Sequence, residues 1–129
     1  MSITKSLQVE FKISTEVHYI AGESRPDQSY FFFSYKISIE NKGNSPAQLM
    51  SRHWQITNGL GQVEEVRGPG VVGLQPKIYP GQKFEYESAC PLETPWGIMR
   101  GQYQFLAENG ETFAVDIPEF YLISPQAMH

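Results

Sequence analysis

Three glycines in the stretch "EEVRGPGVVGLQPKIYPGQ", Gly68, Gly70 and Gly73, have the G-x-G-x-x-G spacing of a loop that cradles a pyrophosphate. Such a loop works because its glycines let backbone approach the anion and because a helix N-terminus follows to hold the charge. Here Pro76 and Pro80 break up the segment that would have to be that helix, and Pro69 removes one N–H from the cradle itself. The spacing therefore predicts a turn between strands that leaves Arg67 exposed. What it retains for chemistry is a small-anion or metal–phosphate site: consecutive N–H groups from Gly70 to Gly73 forming a nest, with Arg67 and Arg52 as cations. His53 completes the candidate ligand set of Arg52, His53, Arg67, Gly68, Gly70 and Gly73. In "AQLMSRHWQITN", strand alternation would put Arg52 and Trp54 on one face and His53 on the other, with Trp54 in the core and Arg52 buried or capping an edge.

No other set of reactive side chains converges. His18, His53 and His129 are too widely spaced for a local zinc motif, and Glu16 and His18 read as solvated neighbours. Ser51 and His53, two apart on a strand, would lie about 7 Å apart with no orienting acid. Glu64 and Glu65 would face opposite ways, which does not suit paired acid–base work. Cys90 is expected to pack inward with Phe84 and Tyr86 as an inert thiol. The sequence thus gives no catalytic residues, no metal ligands and no cofactor site, and the expectation is a protein that is not an enzyme.

The elements that must position these residues belong to one domain spanning residues 1–129, a length that supports a self-sufficient core. With Cys90 as its only cysteine, the chain has no intrachain disulfide and no C-x-x-C motif, which fits a reducing, cytoplasmic setting. Its longest aromatic run, "YFFF", is far short of the roughly 20 apolar residues a membrane helix needs. A formal charge of −4, without any basic run, disfavours nucleic acid and anionic membranes as partners.

Apolar residues recur with a period of two. Leu7, Val9, Phe11, Ile13 and Val17 alternate with polar residues, and Phe31, Phe33, Tyr35, Ile37 and Ile39 fall on one side of a second such run. Further faces are predicted from Met50, Trp54 and Ile56, from Phe84, Tyr86, Ser88 and Cys90, and from Phe113, Val115 and Ile117. Asn109-Gly110 predicts a type I′ hairpin, Asn58-Gly59 a similar one with Gly61 adding slack, and Pro80-Gly81 a type II turn. No sustained helical stripe is present, so the reading is all-β: an immunoglobulin- or fibronectin type III-like antiparallel β-sandwich of about seven to nine strands. Tyr103, inward after a corner at "PLETPWGIMRGQYQF", suggests a tyrosine corner, and the missing cysteine pair points to the disulfide-free variants.

The four stretches "SRHWQIT", "EVRGPGVVGLQP", "YPGQKFEYES" and "GIMRGQYQF", in this order, resemble the bacterial ApaG family, whose domain also occurs in some eukaryotic F-box proteins and in a polymerase-interacting protein. The resemblance runs from "VEFKI" to "IPEFYL" and implies a fibronectin type III-like fold. It also implies an association with cobalt and magnesium efflux or resistance, which would be indirect, and no defined enzymatic activity. The eukaryotic occurrences imply an interaction module with a protein partner.

Overall fold

In the second strand every odd-numbered residue from Phe31 to Asn41 is buried and every even one partly exposed, the alternation of a sheet with one face on a core. The computed structural model describes residues 9–128; Leu7 and Gln8 of the first alternating run, and His129, lie outside the described residues. Eight strands follow in order: β1 (Phe11–Tyr19), β2 (Phe31–Asn41), β3 (Ala47–Asn58), β4 (Val63–Pro69), β5 (Lys77–Ile78), β6 (Lys83–Leu92), β7 (Trp96–Ala107) and β8 (Thr112–Ile123). Among the described residues the only helical pieces are 3-10 turns at Ala21–Glu23, Pro26–Gln28 and Pro125–Met128. One sheet has the order β1-β2-β6, the other β4-β3-β7-β8 with β5 paired to the start of β3, and every pairing is antiparallel. The two sheets make the β-sandwich expected from the alternation.

Between them Trp54 is 3% exposed and meets rings from both sheets edge-on: Tyr35 of β2 at 5.7 Å, Phe120 of β8 at 5.8 Å and Tyr103 of β7 at 6.3 Å between centroids. Seating Trp54 fixes which residues of β3 look inward. The predicted face of Met50, Trp54 and Ile56 needs correction at its first member. The β3–β7 register slips between Leu49 and Ser51, so the buried set changes there from Ala47 and Leu49 to Trp54. A second slip, between Met99 and Gly101, sets Arg100 opposite Pro118 and Glu119 and moves the buried positions of β8 from Ile117 to Phe120 and Leu122. A strand interrupted by Pro118 is tolerated here because β8 is an edge and is bulged at that point.

The turns divide. At Pro80-Gly81, Gln82 donates to the Tyr79 carbonyl and Gly81 has φ +83°, the type II geometry expected. At Asn109-Gly110 only Gly110 has positive φ, so the type I′ turn is not formed. Instead Gly110 donates to the Ala107 carbonyl, Ala107 donates to Glu111, and the Asn109 carboxamide accepts from the Glu111 N–H. The side chain of Asn109 thus stabilises a three-residue loop closed by a left-handed glycine. The Asn58 turn repeats the pattern, with Gly61 at φ +81° as the left-handed residue.

Trp54→Ala is expected to cost about 3–5 kcal/mol, because the cavity would lie between two sheets that cannot collapse independently. Urea unfolding of the two proteins measures this directly; a loss below about 1 kcal/mol would contradict the assignment of Trp54 as the cross-sheet anchor.

Candidate functional site

The glycine-rich loop is organised around Arg52, not around an anion. Register pairs Arg52 with Gly68 on the inward face, and a Cβ on Gly68 would lie 3.0–3.2 Å from the guanidinium, so the absent side chain makes room for it. The same guanidinium donates to the carbonyls of Pro69 and Gly70, both at 3.0 Å. Beyond β4 the backbone reverses at Val71–Leu74, which exchange N–H···O bonds across Val72 (φ +43°) and Gly73 (φ +80°). Gly70 itself has φ +59°, donates to the Met50 carbonyl, and approaches the Leu74 carbonyl so closely that a Cβ would come within 2.1 Å of its oxygen. The amides of Gly70, Val71 and Leu74 are therefore engaged within the chain, and the carbonyls around Arg52 already have their cation.

The remaining two candidates are on the opposite face of the sheet. His53 pairs in register with Arg67 on one side and Gln102 on the other, and Gln102 pairs with Asp116, giving a polar row across β4, β3, β7 and β8. Arg100 donates to the Gln55 carboxamide at 2.9 Å, and Gln55 donates in turn to Glu65 at 3.0 Å. The hydrogen bond from Gln55 holds the Glu65 carboxyl below its ordinary value, with the charges of His53 and Arg67 acting in the same direction. His53 Nε2 lies 3.4 Å from the Glu65 carboxylate, without hydrogen-bond geometry. Of the six predicted residues, the structure brings together Arg52, Gly68 and Gly70, sets Gly73 in the adjoining turn, and places His53 and Arg67 on the other side of the sheet.

Inside the sandwich, the Tyr103 hydroxyl bonds with that of Tyr86 across the two sheets, where a tyrosine corner would have bonded to nearby backbone. Burial pushes Tyr35, Tyr86 and Tyr103 above the ordinary phenol value, while the Arg52 charge pulls the other way. Burial, and then the negative charge of Glu64, push the Cys90 thiol up to about 12, so it stays protonated and unreactive at neutral pH. No group of three or more His, Cys, Asp or Glu side chains is placed to hold a metal ion among the described residues. The Glu16–His18 pair is an exposed contact at 3.1 Å.

A different feature was hidden from motif reading. On the open side of the sandwich, between the ends of β4 and β6, lies a groove of about 360 Å³. Ile56, Val63, Pro91 and Leu92 supply apolar lining, and Glu64 and Glu93 supply its two charged side chains. Tyr30 also lines it. Next to it, Leu60 at the tip of the β3–β4 turn is 76% exposed and Val63 is 60% exposed, while Trp96, itself partly exposed, packs against Gly59 of that turn. These residues come from separate strands and share no spacing, so only the sheet order brings them together.

The sequence profile of the ApaG domain family matches residues 21–107. A protein ApaG of Bdellovibrio bacteriovorus is 64% identical over 93% of this chain and 94% of its own length. A protein ApaG of Aromatoleum aromaticum is 46% identical over the whole of both chains. The crystal structure of an ApaA protein from Bordetella pertussis superposes with a TM-score of 0.88 at 48% identity, covering 92% of this chain and 96% of that one. The chain belongs to the ApaG domain family.

If the loop glycines serve backbone geometry, their substitutions should rank by local space. Gly70→Ala, strained in φ and in collision with the Leu74 carbonyl, is expected to destabilise clearly more than Gly73→Ala, which meets open space and carries only the roughly 1 kcal/mol penalty of a left-handed alanine. Denaturant midpoints of the two variants measure the order; equal stabilities, with loss of nucleotide binding in Gly70→Ala alone, would return the loop to a phosphate cradle.

Proposed function

We propose that this ApaG-family domain is a non-catalytic binding module for a protein partner, engaged at the open side of the sandwich between β4 and β6. The supporting observation is that, among the described residues, no strand pairs with the outer edges of β4 and β6, which flank an apolar-lined groove there. At the two ends of the β3–β4 ladder, Asn58 donates to the Gln62 carbonyl and Gly70 to the Met50 carbonyl, which fixes the alternation between them. Even-numbered residues of β4 turn their N–H groups to β3, so Val63, Glu65 and Arg67 point theirs off the edge. The Asn41 N–H to Gln82 carbonyl bond sets the same parity in β6, where Lys83, Glu85, Glu87 and Ala89 point outward. Pro69 and Pro91 occupy the outward positions at the ends of these runs, where a proline loses no ladder bond and blunts uncontrolled pairing. An edge limited in this way, with exposed Leu60 and Val63 beside it, suits a selected partner strand.

The rival, a small anion or metal–phosphate held at Gly68–Gly73 by Arg52 and Arg67, fits less well, since Arg52 is engaged by carbonyls and Arg67 faces away from it. Any link to cobalt or magnesium handling would then run through the partner, in the cytoplasm where Cys90 stays reduced. Among the described residues no helix is long and apolar enough to cross a membrane.

Photo-crosslinking in cells tests the reading. A photoreactive residue at Leu60 or Val63 is expected to give discrete protein adducts, and one at Lys12 on the distant edge strand β1 none. Adducts from Lys12 alone, or from no position, would overturn it.

A further inference from the structure

Resting on the module reading, we propose that the groove between β4 and β6 receives an arginine or lysine side chain from an extended partner segment that adds to the edge of β4. The choice of edge follows from Pro91, which removes the outward N–H of β6 at the groove and leaves Ala89 as that strand's next outward donor, whereas Val63 lines the groove and keeps its own outward N–H, followed by Glu65. A strand paired to β4 alternates its side chains, one set over the outer face with Glu65 and Arg67, the other inward with Glu64. The inward set enters a space whose walls are Ile56, Val63, Pro91 and Leu92 and whose two charges, Glu64 and Glu93, have the same sign.

A wholly apolar side chain would cover the walls and desolvate two carboxylates without compensation, and an acidic one would add a third negative charge. A long basic side chain satisfies both features. Its methylene stem lies on the apolar walls while its cationic head meets the carboxylates. Arginine is the better fit of the two, because its planar fork presents donors to both carboxylates at once. The net charge of −4 adds a weaker, salt-sensitive attraction for such a segment.

Panning a phage-displayed library of random heptapeptides on the purified full chain, then measuring synthetic copies of the selected peptides by fluorescence anisotropy, tests this. The selected peptides are expected to share one arginine or lysine flanked by β-branched or aromatic residues. Their affinity should fall at least about tenfold for the Glu64→Gln, Glu93→Gln double variant, checked to be folded by circular dichroism. Replacing the basic residue of a selected peptide by norleucine should produce a similar loss on the unmodified chain. Selected peptides that are acidic or purely apolar, or whose affinity ignores the double substitution, overturn the basic specificity while leaving an edge-binding module in place. Failure of the library to yield any binding peptide overturns both.

Discussion

The seating of Trp54 is the constraint from which the rest of this molecule follows. A side chain of that size, ringed by Tyr35, Tyr103 and Phe120 and almost wholly buried, has one place to go, and its position sets the parity of β3. Arg52 and Ile56 must then look inward, and His53 and Gln55 outward. Antiparallel register carries the same parity to β4, so that Gly68 and Glu64 lie inward while Glu65 and Arg67 lie outward. The composition of each surface, the polar row on the outer face and the carboxylate inside the groove, is thus a consequence of one buried ring.

The glycine-rich stretch is the place where this inheritance shows most clearly. Arg52 is driven inward by its spacing from Trp54, and its guanidinium has to be satisfied near the core. Gly68 opposite provides the room, and the carbonyls of Pro69 and Gly70 accept its protons. Glycine is required here for close approach, as it would be in a phosphate loop, but what approaches is a guanidinium from the same chain. The arrangement ties the end of β4 to β3, at the opposite end of the strand from the groove. The edge strand ends in proline and is held there by an inward arginine, while its three outward N–H groups lie off the ladder to β3.

Much of this was legible in the sequence because strands with one buried face alternate strictly. The runs in β2 and β6, the core position of Trp54, the opposition of Arg52 and His53 and the Pro80-Gly81 turn all follow from period and turn chemistry alone. The bulges did not, since an extra residue at Met50 or at Pro118–Glu119 breaks the alternation only locally and looks like noise in a single chain. The hairpin at Asn109-Gly110 forms as its sequence implies, but its turn type does not follow from the sequence, because asparagine can stabilise either a left-handed backbone or, as here, a side-chain turn with negative φ. The Tyr86–Tyr103 bond and the groove were not legible at all. Both depend on which strands face each other, and Ile56, Glu64 and Leu92 form no pattern until the sheets are folded together.

The off-edge amides of β4 are the proposed docking line for a protein partner. Residue-resolved amide hydrogen exchange, measured on the chain alone and on the chain co-purified with its crosslinked partner, tests it most directly. The amides of Val63, Glu65 and Arg67 are expected to exchange freely in the isolated chain and to become protected in the complex. Unchanged exchange at these three positions, with new protection confined to β1 or to the outer face around His53, would contradict it.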